Sequence, residues 1–295
     1  MVRKTHADAY ESIFKHSQDA SGVPVKGVDF DSKVDLNSIL ASFSSSGFQA
    51  TNLGKAIEII KKMRKENVRI FLGYTSNQIS SGNRDIIRYL VQHKMVDALV
   101  TTTGGIEEDF IKTHKPFLIG DFRLDGAALR KKGVNRIGNI LAPNERYVWF
   151  ESFFQPILKE CAEEQQRSEK VFSASEIIHR MGEKVSDKKS VYYWASKNNI
   201  PVFCPAFMDG AIGDNAYFFN YNRKKEDKLI IDQIGDHHRL IELTLDAKET
   251  GIIVLGSGLV KHTLCNANMY REGAKYAVYV NTSAEFDGSD SGAEP

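Results

Sequence analysis

VRIFLGYTSNQISSGNRDIIRYLVQHKMVDALVTTTGGIEEDF, residues 68–110, decides the fold. Two apolar runs, VRIFLGYT (68–75) and VDALVTTT (96–103), flank a segment whose Ile86, Ile87, Leu90 and Val91 recur at helical spacing. A run that is apolar throughout, rather than at alternate positions, predicts a strand covered on both faces. Strand, helix and strand in that order predict a parallel βαβ unit.

The same rhythm extends toward the C-terminus. FLIGDF (117–122) and RIGNIL (136–141) read as short strands around the helical DGAALRKKG. NERYVWFESFFQPILKECAEEQQ reads as a helix with Asn144 as N-cap, kinked or divided at Pro156. Ser173 and Glu176 stand in capping-box spacing. PVFCPAF (201–207), KLIIDQI, GIIVLGS (251–257) and YAVYVNTS (276–283) read as strands, with HRLIELTLDAKE and GLVKHTLCNANMYREG as helices between them. The expected fold is α/β, a Rossmann-like parallel sheet with helices on both faces, formed by residues 25–295 as one domain. Residues 1–24 read as a helical appendage, with Ala7, Tyr10, Ile13 and Phe14 as an apolar stripe between His6 and His16. So short a helix is marginal alone and must dock on something.

Composition narrows the function classes. The chain of 295 residues is 42% hydrophobic and 26% charged, the proportions of a soluble globular protein. Its formal charge of +1 lacks the basic excess of a nucleic-acid binder. Cys161, Cys204 and Cys265 stand far apart, which argues against a disulfide framework or a structural zinc site. The N-terminus MVRKTHADAYESIF has no apolar run of signal-peptide length, and no stretch approaches the roughly 18 apolar residues of a membrane span. A cytoplasmic protein is expected.

Ligands of an open parallel sheet bind beyond the carboxyl ends of its strands. Those ends read Thr75-Ser76-Asn77, Thr102-Thr103-Gly104-Gly105, Phe207-Met208-Asp209-Gly210, Gly256-Ser257-Gly258 and Asn281-Thr282-Ser283. Small residues there let backbone N–H groups approach a phosphate, and a following helix N-terminus favours its charge. Any one loop is as readily an ordinary tight turn; the set points to a nucleotide. The full GxGxxG fingerprint is absent, and Gly256-Ser257-Gly258 supplies only its first half. Acids gather at the same ends: Glu107 with Glu108, Asp209 with Asp214, and Asp287 with Asp290. Carboxylates brought together need a compensating cation. An organic polycation serves, and no metal motif is present; for Glu107 or Glu108 an acidic first helical turn is the plainer reading. His262 follows a glycine turn at this edge, where a functional role and a structural one are about equally expected. His237-His238 reads as a capping or surface pair, and Tyr192-Tyr193-Trp194 as core.

GFQATNLGKA, IFLGYTSNQISSG, DALVTTTGGIEEDFIK, NRIGNILAPNERY, SVYYWASKNNIPVFCPAFMDGAIGD, GLVKHTLCNANM and YAVYVNTSAEFDGSDSGA closely resemble deoxyhypusine synthase, over about Val25 to Pro295. The resemblance implies the family's NAD-binding fold, which is related to that of sirtuins. It also implies oxidation of spermidine with NAD and cleavage of the resulting imine. The 4-aminobutyl group is then carried on an enzyme lysine and transferred to a lysine of the precursor of the hypusine-containing translation initiation factor. Carried over residue by residue, Ser76, Asn77, Ser80, Thr102, Thr103 and Gly104 line NAD. Ser257, Thr282 and Ser283 sit at the nucleotide, and Asp209 and Asp287 are cofactor contacts. Glu108 touches both cofactor and substrate. Glu107, Asp214, His262, Tyr279, Gly288, Ser289 and Asp290 fall to spermidine, with His262 the catalytic group that helps move a proton.

There are departures from the family pattern. Ser257 stands where members often have glycine, and Ser283 where alanine is commoner. The sequence stops at SDSGAEP, before the family segment with a tryptophan and the imine-forming lysine, and no lysine follows Lys275. Without that amine the chain alone is expected to form no aminobutyl-enzyme. Expected partners are spermidine, the factor precursor and further subunits, as a homotetramer or as a hetero-oligomer with a complete paralogue. The competing readings are a catalytically incomplete regulatory paralogue that binds NAD, and a sirtuin-type deacylase, which the missing zinc cysteines disfavour.

Overall fold

The computed structural model describes residues 5–15, 17–284, 286, 288, 289 and 291–293. The chain divides into two compact units, Met1–Glu58 and Ile59–Pro295, and the expected appendage of residues 1–24 lies in the first. There, a capping box between Thr5 and Asp8 opens the helix His6–Ile13, none of whose residues is buried. Its stripe is exposed at Tyr10, Ile13 and Phe14, and the Tyr10 and Phe14 rings lie 4.6 Å apart. A second capping box, Asp35 with Ser38, starts the helix Leu36–Ser46. Gly54 comes so close to it that a Cβ would lie 2.7 Å from the Ser44 nitrogen.

The second unit is built on a five-stranded sheet in the order Tyr276–Val280, Thr250–Leu255, Arg69–Tyr74, Ala98–Thr101, Val202–Phe203. Every neighbouring pair is parallel. Consecutive burial of Ile70, Phe71, Leu72, Gly73 and Tyr74 shows cover on both faces, as their unbroken apolar pattern requires. Tyr74 pairs with Thr101 on one side and Leu255 on the other, so three strands end level. The chain runs outward from Arg69–Tyr74 to Val202–Phe203 and then returns to the opposite side. The strand order therefore reverses between Arg69–Tyr74 and Thr250–Leu255, which is where an open sheet leaves a crevice.

Other expected strands lie outside this sheet. Leu118–Ile119, Ile140–Pro143 and Val134–Ile137 form a separate antiparallel sheet. Residues 136–141 are not one strand: Gly138, with φ of +60°, and Asn139 turn the chain between two. Of KLIIDQI only Ile231–Asp232 forms a strand, paired with Phe172–Ser173. The Asp232 carboxylate accepts the Gly235 N–H at 2.8 Å and caps the helix Gln233–Leu245, which claims the rest of the run. The helix Asn144–Ser168 is undivided at Pro156, and Pro143 rather than Asn144 holds its N-cap position. The Asn144 side chain instead accepts from the Asn135 amide at 2.8 Å. The capping box of Ser173 and Glu176 is present. Tyr192 is core, while Tyr193 and Trp194 are only half-buried.

The helix Thr103–His114 is fastened by Asp109, whose exposure is 0%. Its carboxylate accepts from Arg84 Nε at 2.6 Å, Ser190 Oγ at 2.5 Å and the Val191 N–H at 3.1 Å. The last two belong to the start of the helix Val191–Asn198. Tyr192 continues the tie by donating to the Gly105 carbonyl at 2.7 Å. Asp109→Ala would strand a buried guanidinium and a helix N-terminus. It should cost about 3–5 kcal/mol in urea denaturation; a loss below about 1 kcal/mol would show that these groups find other partners.

Candidate functional site

Beyond the first strand, Thr75 and Ser76 lead into the four-residue helix Asn77–Ser80. Thr102 Oγ1 accepts the Ser76 N–H at 3.0 Å and ties this loop to the next. Gly104 lies against Ser76, where a Cβ would be 2.9 Å from the serine Cβ. Across the strand-order reversal, Gly256 has φ of +100°, and any Cβ there would collide with the Thr75 hydroxyl. Gly258, with φ of +63°, starts the helix Leu259–Met269. A side chain at Gly256 is excluded both by backbone conformation and by lack of room. Between the two loops lies a cleft of about 620 Å³, lined by Thr75, Asn77, Ser257, Asn281 and Thr282 among others. That is the size of a cofactor pocket. Another cavity, of about 360 Å³, lies beside Pro201 and Val202.

The acidic part of the site adjoins the first loop. Glu107 and Glu108 are each only 6% exposed. Glu107 accepts the Ile212 N–H at 3.0 Å, at the N-terminus of the helix Ala211–Tyr221. Burial raises its pKa, the N–H groups of Ile212 and Ala211 oppose the rise, and the charges of Asp214 and Asp209 add to it. Glu108 accepts from the Ser80 hydroxyl. Burial pushes its pKa up to about 7, against the Ser80 hydrogen bond and with the charge of Glu107 added; the Lys112 cation lowers it. Tyr147, on the helix Asn144–Ser168, is raised above the usual tyrosine range by burial and then by Glu108 and Glu107. Two adjacent carboxylates kept from water with so little compensation favour a cationic guest, which would offset the cost of charging them.

The remaining candidates are placed as follows. Asp209 and Asp214 are exposed on either side of Gly210, whose Cβ would lie 3.0 Å from both Glu107 oxygens. Thr103 donates to the Ala206 carbonyl, joining the second strand end to the loop that carries Asp209. Ser257 and Thr282 line the cleft, and the Ser283 N–H donates to Asn281 Oδ1 at 2.8 Å. His262 is exposed in the first turn of its helix. Tyr279 faces that helix, with its hydroxyl 3.4 Å from Cys265 Sγ and its ring centre 5.2 Å from Lys261 Nζ. Gly288 and Ser289 are exposed, whereas Asp287 and Asp290 lie outside the described residues. His237 and His238 are exposed in the second turn of Gln233–Leu245, and His238 lies 3.7 Å from Glu242. Among the described residues no group of His, Cys, Asp or Glu could hold a metal ion. No helix among them is long and apolar enough to cross a membrane.

Sequence reasoning missed Lys112, Tyr147 and the pairing of Arg84 with Asp109. Lys112 stands four residues after Glu108, a spacing that signals proximity on a helix. Tyr147 and Arg84 come from other elements and carry no local signal.

The family profile described as deoxyhypusine synthase matches residues 38–295. A deoxyhypusine synthase of Nicotiana tabacum is 46% identical over 96% of this chain and 84% of its own length. A protein of Drosophila melanogaster named probable deoxyhypusine synthase is 45% identical over 97% of this chain and 84% of its own. A solved structure assigned to a deoxyhypusine synthase from Entamoeba histolytica superposes with a TM-score of 0.68 at 33% identity, covering 88% of each chain.

The raised pKa of Glu108 makes stability depend on pH. From 4.5, the ordinary value, to about 7, the folded state holds a proton that the unfolded state has lost. The associated stability is complete below that range and is lost as pH rises through it. At about 1.4 kcal/mol per pKa unit the loss is about 3 kcal/mol. Glu108→Gln, which keeps an acceptor for Ser80, should therefore exceed the wild type in stability at pH ~8, with the gap closing by pH ~4. A constant gap across the range, measured by thermal unfolding, would contradict this.

Proposed function

The chain belongs to the deoxyhypusine synthase family of enzymes, and from that premise we propose that it oxidises spermidine with NAD, the step that precedes transfer of the 4-aminobutyl group, by way of an enzyme lysine, to a lysine of the precursor of the hypusine-containing translation initiation factor. The observation that carries this reading is the meeting of two unlike surfaces. A cleft of about 620 Å³ opens at the strand-order reversal, where Thr75, Asn77, Ser257 and Thr282 stand beside the apolar Ile86, Ile87, Leu255 and Val280. Two buried carboxylates, Glu107 and Glu108, adjoin it through Ser76, Ser80 and Gly104. A dinucleotide suits the first, and a chain of ammonium groups suits the second.

The residues present fit NAD. Gly104 and Gly256 leave no room for a Cβ against Ser76 and Thr75, so the strand-end loops pack tightly together beside the cleft. The helix Leu259–Met269 begins at Gly258, and the positive end of its dipole favours a phosphate there. Bound NAD supplies the hydride acceptor. Ser76, Asn77, Thr102, Thr103, Ser257 and Thr282 would orient it, with Asp209 as a further contact. Glu107 and Glu108 would hold the substrate ammonium groups, and Ser80 aims Glu108. As a hydride leaves the carbon next to a spermidine nitrogen, that nitrogen loses a proton, and His262 is the group assigned to take it. The same reading includes a cytoplasmic homotetramer. The exposed Tyr217, Phe218 and Tyr221 on one helix support self-association.

Reduced nicotinamide formed from NAD in the presence of spermidine, followed by absorbance, tests the reading. The wild type should bind NAD and reduce it only when spermidine is added. Glu107→Gln should cut the rate about 100-fold or more while changing NAD affinity little. A wild type that binds no NAD, or a Glu107→Gln variant of full activity, would overturn the proposal.

A further inference from the structure

Lys112 is one turn beyond Glu108 on the helix Thr103–His114. Its ammonium donates to the carbonyls of Ile79 and Ser80, each at 2.5 Å, and reaches that of Ser81 at 3.4 Å. An ammonium has three donors and no acceptor, so its capacity goes to the end of the helix Asn77–Ser80. Carbonyls at a helix C-terminus lack partners within the helix, and a cation there answers them. Ser80 closes a circuit. Its carbonyl accepts from Lys112 while its hydroxyl donates to Glu108.

The charged surroundings are mixed. Burial and the Arg84 cation push Lys112 down to about 8, against the attraction of Glu108, Asp109 and Asp85. Glu108 in turn faces Glu107 and Lys112 on its own helix, Ser80 on the neighbouring one, and Tyr147 from the helix Asn144–Ser168. The Lys112 ammonium also lies 5.3 Å from the centre of the Phe117 ring, within cation–π range.

We propose that Lys112 is a positioning residue of this site, which holds Ser80 against Glu108 and supplies a positive charge close to that carboxylate. The inference rests on the proposed function for its catalytic meaning, but its physical content is open to test without any ligand. Lys112→Met keeps the apolar stem and removes the ammonium; Lys112→Arg keeps the charge and the donors. The Glu108 side chain is titrated by carbon NMR in the ligand-free proteins, with Glu108→Gln identifying its signal. Loss of the charge should move the Glu108 midpoint up by about one unit, the lower end of what a close opposite charge confers. Lys112→Arg should leave it within about 0.3 of a unit, a small fraction of that one-unit effect. In the activity assay, Lys112→Met should move the acidic limb of the kcat/KM profile upward by the same amount, and Lys112→Arg should restore it.

An unchanged Glu108 midpoint in Lys112→Met would reduce Lys112 to a helix cap and overturn the inference. Should Lys112→Met fail to fold, a Glu108 midpoint displaced in Lys112→Arg overturns it, and one held at the wild-type value supports it. A wild type that binds no NAD and oxidises no spermidine defeats the proposed function, while the ligand-free titration still decides whether Lys112 sets the state of Glu108.

Discussion

The buried carboxylate of Asp109 is the constraint on which the site depends. Three consecutive acids, Glu107, Glu108 and Asp109, are buried in a single helix. Successive helical residues project about 100° apart, so the three leave the helix toward three different neighbours. Asp109 meets Arg84 and the start of the helix Val191–Asn198. Glu107 meets the start of the helix Ala211–Tyr221. Glu108 meets the hydroxyl of Ser80. Only Asp109 has a full cation in contact, and that pairing fixes the rotation of the helix. With the helix so turned, Glu107 and Glu108 are held in a dry setting that a carboxylate would not choose for itself. The stability lost there is the usual cost of a site arranged for a ligand rather than for the fold.

The sheet supplies the second half of the arrangement. Level strand ends at Tyr74, Thr101 and Leu255 bring loops from distant parts of the sequence to one edge. The reversal of strand order opens a crevice beside Arg69–Tyr74, and the glycines at 104 and 256 let its walls approach without filling it. Because Ser76 and Ser80 belong to the same short segment, one end of that segment faces the cleft and the other faces Glu108. A nucleotide and a polycation would therefore meet across about one helical turn of chain.

Much of this was legible from residues alone. The runs 68–75, 96–103, 251–257 and 276–283 each overlap a strand of the parallel sheet, and the double cover that such runs imply holds for the inner strands but not for the edge strand Tyr276–Val280, of which only Val278 is buried. RIGNIL misled because its turn, Gly138-Asn139, sits inside an apolar frame and its two halves belong to different strands. KLIIDQI misled because the capping carboxylate of Asp232 outweighs a weak strand preference. The pairing of small residues with acids at strand ends pointed to the candidate site. What it could not reveal was which acids are buried, since burial arises from helices distant in sequence. Asp109 and Glu108 look alike in the string IEEDF, yet one is paired with Arg84 and the other is pushed toward neutrality by burial, against the pull of Ser80 and Lys112.

A crystal structure of the protein with both NAD and spermidine tests the central claim most directly. The account predicts the dinucleotide in the cleft between Thr75–Asn77 and Gly256–Gly258, with an ammonium of spermidine about 3 Å from a carboxylate oxygen of Glu107 or Glu108. Spermidine held away from both carboxylates, or NAD seated in the cavity beside Pro201, would contradict it.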